Sequence, residues 1–476
     1  MRDPSATAPG DGRRVLIAFI VACAFLMQGI DSTLLTIAIP TIGRALSVDP
    51  LLLHLAITGY LVSLAVFMPV SGWFADRYGA RKVFCAALVV FTLGSAVAAA
   101  APDLPLMVAA RIVQGFGGAL MTPVGRLVVL RAFGPGRTLD AMTYLTLPVL
   151  IGPLLGPLIG AIIISHASWR WIFLVNVPVC AITLALTLRF VPRDLPAGVQ
   201  TTFDTSGFLL AGSSLVVFQL GVEHLGHPLL GWPGTLGLFT LSVLLFLIYA
   251  NRSRRRANPA LDLSLFSTRA FAVGVVAGGV GRVGLNASAF LLPLLLQIGF
   301  GMAPIVAAAY SALSALGAVV AKPALSRSIA AFGYLPTLLA LVVSGSALLG
   351  SFALMNADVP VGLLIAATLA LGAVRTMHFN AVNTLTYSDV PGAMLSRSVS
   401  SAGVFQQLSM GLGVSVSAAA LSLMVPEGVL PTVADFRLVF LLMAIVPLIS
   451  VPVLLTLRRD DGQGHRATGH TLDKPA

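Results

Sequence analysis

Gly72-Trp73-Phe74-Ala75-Asp76-Arg77-Tyr78-Gly79-Ala80-Arg81-Lys82 packs one acid, three cations and two glycines into eleven residues. On both sides the chain is almost uncharged for some twenty residues. Only 10% of the chain is charged, so this stretch is an island between two apolar runs. It reads as a charged loop at a membrane surface, joining two spanning helices.

Composition supports that reading. The chain has 476 residues, 57% of them hydrophobic. A soluble protein of this length has no use for so much apolar surface, whereas a bundle of lipid-facing helices does. Its 46 glycines and 29 prolines are tolerated in membrane helices whose neighbours satisfy the freed backbone groups. A net charge of +11 would suggest nucleic acid as a partner of a soluble protein. Here the cations sit in short loops between apolar runs, so the expected partner is the lipid bilayer and no nucleic acid is expected. Cys23, Cys85 and Cys180 all lie in apolar runs and read as small core residues. Val15 to Pro40 is too long for a signal-peptide core and reads as the first span.

Apolar runs of helix-spanning length predict fourteen spans: 15–39, 52–71, 83–101, 105–125, 140–163, 171–189, 205–225, 233–250, 270–297, 304–321, 335–355, 361–384, 400–424 and 437–457. Of the 29 lysines and arginines, 23 fall in the termini and in loops after even-numbered spans. Only Arg44, Arg170 and Arg437 lie on the other side, and Arg111, Arg282 and Arg375 lie within spans. The positive-inside bias therefore places both termini in the cytoplasm. The basic run Arg252-Ser253-Arg254-Arg255-Arg256 reads as a topology determinant that anionic lipid headgroups would also attract. No P-loop, cysteine–histidine metal cluster or catalytic constellation appears, so neither an enzyme nor a resident cofactor or metal is expected.

The opening stretch fits Gly-x-x-x-Asp-Arg-x-Gly-x-Arg-Lys at Gly72, Asp76, Arg77, Gly79, Arg81 and Lys82, and this resembles the loop between spans 2 and 3 of the major facilitator superfamily. Arg111-Ile112-Val113-Gln114-Gly115-Phe116-Gly117 is similar to that superfamily's span-4 motif. Gly152-Pro153-Leu154-Leu155-Gly156-Pro157-Leu158-Ile159-Gly160 resembles its span-5 antiporter motif. Asp31-Ser32-Thr33-Leu34-Leu35-Thr36-Ile37-Ala38-Ile39-Pro40 and Ser168-Trp169-Arg170-Trp171-Ile172-Phe173-Leu174-Val175-Asn176-Val177-Pro178 resemble the fourteen-span drug:proton antiporter subfamily. The later half resembles the family by span pattern and by Leu292-Pro293-Leu294-Leu295-Leu296-Gln297. Thr36 stands where the subfamily usually has Asn, and Ser326-Arg327 stands where the half-repeat of the opening loop would have Asp-Arg.

The resemblance implies an all-α membrane protein: a six-helix bundle over 1–190, two inserted helices over 204–250, a basic cytoplasmic loop over 251–269, a second six-helix bundle over 270–457 and a polar tail over 458–476. It implies a proton-driven exporter of small amphipathic or drug-like compounds in the inner membrane, with substrate bound between the bundles near mid-membrane. A dedicated metabolite transporter of the same fold is the alternative, and a non-transporting membrane sensor a remote one. Oligomeric state stays open.

Within that frame Asp31 is the central acid, because an ionisable group deep in a span is expensive. Rise per residue places Asp31 and Arg111 at similar depth, roughly 10–13 Å below the outer surface, where they pair directly or through water. Burial disfavours an ionised carboxyl and a nearby arginine favours it, so movement that alters either loads or releases a proton. Substrate contact and a purely structural ion pair are the other readings of Asp31. Gly152, Gly156 and Gly160 put a Cβ-free stripe on one helix face, and Pro153 and Pro157 remove backbone donors and bend the helix. The functional reading is a seal against proton leak; the plain one is tight packing. The stretch Gly72–Lys82 reads as a conformational latch, with Asp76 accepting from a helix N-terminus or an arginine. Thr36, Gln114, Arg282, Asn286, Gln297, Arg375, His378 and Asn383 are candidates for the substrate cavity, with Asn380, Gln406 and Gln407 as further polar residues in spans. The excess of arginine over acid in the core suits anionic, weakly acidic or neutral amphipathic compounds better than a permanent cation.

Overall fold

A computed structural model describes residues 11–134, 138–193, 203–226, 231–256, 258–391, 394–426, 428–458 and 461–462. Every described regular element is helical. The chain forms two compact units, Met1–Phe203 and Asp204–Ala476.

The first unit contains α1 (Asp11–Leu46), α2 (His54–Phe67), α3 (Val70–Tyr78), α4 (Ala80–Ala100), α5 (Leu104–Phe133), α6 (Thr138–His166), α7 (Trp171–Leu174) and α8 (Asn176–Phe190). A 3₁₀ turn at Pro50–Leu53, capped by the Asp49 side chain, leads into α2. α5 is central, packed along α4 and α2, while α1 packs along α6 and touches α8 and α5. The apolar windows of the sequence fall mainly on helices, but several run longer or break. α1 continues to Leu46 with Pro40 inside it, beyond the predicted end at 39. The predicted span 171–189 is broken at Val175, which makes Asn176 the first residue of α8.

The charged stretch Gly72–Lys82 is helical rather than a loop. α3 runs through Tyr78, α4 starts at Ala80, and only Gly79 between them is non-helical, at φ +90°. The Gly79 N–H closes α3 on the Ala75 carbonyl at 3.0 Å. The charges did not require a loop: side chains can reach water while the backbone keeps its own helical bonds. A positive φ is the reason for glycine here, since a Cβ is strained in that region.

The second unit contains α9 (Thr205–Gly226), α10 (Gly231–Ser253), α11 (Arg269–Leu294), α12 (Pro304–Val320), α13 (Lys322–Phe332), α14 (Tyr334–Phe352), α15 (Val361–Ser388), α16 (Leu395–Met424), α17 (Val433–Leu448) and α18 (Val451–Leu454). α9 and α10 form an antiparallel hairpin whose α9 lies on α16. Glu223 accepts from Gln219 Nε2 (2.7 Å) and from Ser415 Oγ (2.6 Å), joining the hairpin to α16. α11 is the hub, touching α15, α16 and α17, and continues into one π-helical turn at Leu295–Gly299. The core between α11, α14 and α15 is built from Val273, Ala277, Leu338, Leu341, Val342, Ala381, Val382 and Leu385. Gly333, at φ +83°, separates α13 from α14 as Gly79 separates α3 from α4. The half-repeat therefore keeps the helix break although it lacks the Asp-Arg pair.

Among the described residues, twelve helices are long and apolar enough to cross a membrane. The pair Pro304–Val320 and Pro323–Phe332, bent by 48°, would make a thirteenth, and Ile151–His166 is a shorter apolar helix within α6. The chain is a multi-pass membrane protein.

Candidate functional site

The polar centre of the first unit grows from one carboxylate. Asp31, on α1, is 2% exposed, and Arg111, on α5, is 1% exposed. Two apolar helices have thus each placed one ion in the interior, where an unpaired charge is costly. They meet directly: Arg111 NH1 donates to Asp31 Oδ2 at 2.7 Å. Of the two arrangements expected from depth, direct pairing is the one formed.

Gln114 lies one turn along α5 from Arg111 and bridges the pair. Its Nε2 donates to Asp31 Oδ1 at 2.8 Å, and its Oε1 accepts from Arg111 NH1 at 2.7 Å. Asn176, at the start of α8, donates Nδ2 to the same Asp31 oxygen at 2.6 Å. Ser95 Oγ on α4 accepts from Gln114 (3.2 Å) and Asn176 (2.7 Å), and donates to the Phe173 carbonyl (3.1 Å). Arg111 Nε reaches the Ala56 carbonyl of α2 at 3.2 Å, and its guanidinium lies 4.3 Å from the Tyr60 ring centroid. The carboxylate therefore has three donors from two helices beyond its own. A neighbouring bridge lies one turn earlier on α1, where Gln28 accepts from Thr122 of α5 at 2.6 Å.

Close helix approach makes this possible. A Cβ on Gly115 would fall 2.6 Å from the Tyr60 carbonyl of α2, a distance real side chains do not reach. The α6 stripe lies against the helix that carries the acid. A Cβ on Gly152 would meet Gly29 Cα at 3.0 Å, one on Gly156 would meet Thr33 Oγ1 at 2.0 Å, and one on Gly160 would meet Leu34 Cδ2 at 3.1 Å. α6 runs unbroken through Pro153 and Pro157.

Ser95 and Asn176 were not among the sequence candidates for the site. Asn176 stood in a quoted motif, and its position after the aromatic run Trp171–Phe173 was the available signal. Gln114, expected at a substrate cavity, sits with no exposure inside the acid cluster. Thr36 is half-buried and bonds back to the Thr33 carbonyl at 2.8 Å.

At the charged stretch, Asp76 forms an ion pair with Arg131, at the end of α5, at 3.7 Å, both partly exposed. Arg81 donates to the Leu188 carbonyl of α8. Arg77 stacks near Trp73 and Tyr78, at 5.9 and 6.0 Å from their ring centroids. Lys82 and Gly72 are exposed.

In the second unit, Arg282 on α11 is 5% exposed and donates NH2 to Asn383 Oδ1 of α15 at 2.6 Å, with its guanidinium 4.9 Å from the Phe379 centroid. His378 is 1% exposed, its ring pressed against Gly281, where a Cβ would fall 2.6 Å from Nε2. Arg375 lies one turn before Phe379 and is half-buried, as are Asn286, Asn380, Asn383, Gln406, Gln407 and, in the π turn, Gln297. No group of three or more potential metal ligands occurs among the described residues.

Comparison with known proteins agrees with this architecture. Residues 21–414 match the family model described as Major Facilitator Superfamily. A putative multidrug resistance protein MdtD of Klebsiella pneumoniae (strain 342) is 35% identical over 458 residues, covering 94% of this chain and 95% of that protein. The protein of the same name from Escherichia coli O6:H1 (strain CFT073) is also 35% identical, covering 92% and 93%. Among solved structures, the nucleoside transporter NupG matches with a TM-score of 0.66 at 14% identity, covering 94% of this chain and 100% of that one. The peptide transporter POT in complex with sulfate matches with 0.69 at 14% identity, covering 95% of each. At such identity these structures speak to the fold alone.

Proposed function

The chain belongs to the major facilitator superfamily, and from that premise we propose that it is a proton-coupled exporter of small amphipathic, drug-like compounds. In this reading it crosses the inner membrane fourteen times, with both termini cytoplasmic, and works by alternating access. The relatives named as putative multidrug resistance proteins, matched over nearly their whole length, support the substrate class.

The observation that carries the proposal is the buried Asp31–Arg111 pair. Ionised Asp31 is stabilised by Arg111, Gln114 and Asn176, which donate from α5 and α8. A movement of α1 away from those helices strips the carboxylate of its counter-charge and donors, and protonation then becomes the favoured state. Return of α1 restores the donors and expels the proton. Alternating these states across the membrane couples downhill proton entry to uphill export of substrate. The proton gradient supplies the energy, and no resident cofactor is required.

The other motif residues take supporting parts. The Gly152–Gly160 stripe seats α6 against α1 and keeps the carboxylate sealed when no substrate moves. Asp76 and Arg131 hold one conformation at the membrane surface. Thr36, Asn286, Gln297 and the residues around Arg282 and Arg375 contact substrate.

The deciding experiment is efflux from proteoliposomes under an imposed pH gradient, with a panel of amphipathic compounds. Asp31→Asn is expected to abolish proton-driven efflux while the protein still purifies as a folded monodisperse species. Undiminished efflux in that variant would refute the coupling role.

A further inference from the structure

The two units treat their buried arginines differently. Arg111 has Asp31, Gln114 and the Ala56 carbonyl around it. Arg282 has one neutral oxygen, Asn383 Oδ1, and its buried Nε has no hydrogen-bond partner among the described residues. The described ion pairs of the second unit are Arg252–Asp204 and Arg397–Asp262, and neither involves Arg282 or Arg375. His378 adds a second such atom: its Nδ1 is buried without a hydrogen-bond partner among the described residues.

These groups share one place. Arg375, Phe379 and Asn383 are spaced by four residues and line one stripe of α15. The Arg282 guanidinium lies over Phe379 and on Asn383, residues one and two helical turns along the stripe from Arg375. A buried cation and an amide thus meet beside an aromatic ring, on the stripe that also carries Arg375, and neither arginine has an ion pair among the described residues.

Buried charge of this kind is stable when a partner of opposite sign arrives. A guanidinium presents a planar fork that matches a carboxylate with two parallel bonds. We propose that Arg282, Arg375 and Asn383 form a carboxylate-binding site in the second unit, and that the exported compounds carry a carboxylate on an aromatic or otherwise apolar body. Phe379 provides the apolar neighbour for that body. Asn383 orients Arg282 through its oxygen and leaves its amide nitrogen to donate to the ligand. The inference deepens the transporter reading and rests on it for the passage of the ligand, but its test reads binding alone.

The test measures equilibrium binding of radiolabelled 2-naphthoate to the purified full-length protein in lipid nanodiscs, with no proton gradient. Unlabelled 2-naphthoate, its neutral amide and a naphthyl trimethylammonium salt serve as competitors. The carboxylate is expected to compete at least about tenfold better than either analogue. Arg282→Gln and Arg375→Gln are each expected to weaken naphthoate binding by about tenfold or more, with amide binding changed by less than about threefold. Asn383→Asp supplies a carboxylate to Arg282 from within the chain. It is expected to raise the unfolding temperature and to weaken naphthoate binding by about tenfold. A purely structural arginine would give the first effect without the second. Should Arg282→Gln not fold, Arg375→Gln and Asn383→Asp carry the test.

Absence of saturable naphthoate binding, equal competition by amide and carboxylate, preference for the cation, or undisturbed binding in Asn383→Asp would each overturn the site. The two proposals are read by different measurements: binding without a proton gradient reports on the arginine variants, and proton-driven efflux reports on Asp31→Asn, so either can fail while the other stands.

Discussion

Gln114 donates its amide nitrogen to Asp31 at 2.8 Å and accepts from Arg111 with its amide oxygen at 2.7 Å, so one neutral side chain satisfies both members of a buried ion pair. Gln114→Leu removes both bonds and leaves each ion short of one partner. Hydrogen bonds to charged groups contribute about 1.5–3 kcal/mol each, so the loss of stability is expected to be of that order. Thermal unfolding in detergent and proton-driven efflux should both decline, with efflux slowed by about tenfold or more. Wild-type values for both would contradict the bridging role.

Arg111→Gln leaves Asp31 buried without its counter-charge, which costs about 3–5 kcal/mol when one partner of a buried pair is removed. The double variant Asp31→Asn with Arg111→Gln removes both charges. Its unfolding temperature is expected to recover most of the loss, while proton-driven efflux stays absent. Recovery of stability without recovery of transport separates the structural from the coupling contribution of the pair; a double variant that still exports would count against coupling.

Gly156 has no room for a methyl group, since its Cβ would fall 2.0 Å from Thr33 Oγ1 and 3.0 Å from the Ile30 carbonyl. Gly156→Ala is expected to destabilise by about 1–3 kcal/mol, the usual range for overpacking. Thr33→Ala removes the nearest clashing atom, so the double variant should regain part of the stability. Gly72→Ala is the control, because a Cβ there meets nothing within 4 Å. Equal stability of Gly156→Ala and Gly72→Ala would mean that α1 and α6 are not pressed together as described.

The Asp76–Arg131 pair is 3.7 Å long and about half exposed on the acid side, so its contribution to stability is expected to be at most about 1 kcal/mol. Asp76→Asn should leave the unfolding temperature nearly unchanged and lower the transport rate, because a latch acts on the balance between conformations rather than on folding. Gly79→Ala should do the opposite to the fold, costing about 1–2 kcal/mol through its φ of +90°. Reversed ranking of these two variants by thermal unfolding would overturn the assignment.

Much of this architecture was legible in the residues. The apolar windows fall mainly on helices, twelve of which are long and apolar enough to cross a membrane among the described residues, because a backbone in lipid has to satisfy itself and long apolar runs leave it one way to do so. Asp31 and Arg111 were legible because each is an expensive charge in an apolar run. The break at Val175 has its signal in Pro178, which offers no N–H to the Leu174 carbonyl four residues earlier and crowds it with its ring. Ser95 and Asn176 were hidden because their partners lie on other helices, 19 to 145 residues away, and small polar residues in spans usually serve as packing. The charged stretch misled for a physical reason as well, since polarity of side chains says where water is and not whether the backbone is helical.

The bonds from Glu223 to Gln219 and Ser415 bear on how the gene can be divided. They make the α9–α10 hairpin a fixture of the second unit rather than a tether between halves. A cut placed between residues 193 and 204 would leave every hydrogen bond described for Asp31, for Arg282 and for Glu223 inside one fragment or the other. A cut in the basic segment after α10, the longest interval between predicted spans, would separate Gln219 and Glu223 from Ser415. Split reporters, domain swaps with relatives and fragment complementation would therefore each treat residues 204–476 as one cassette.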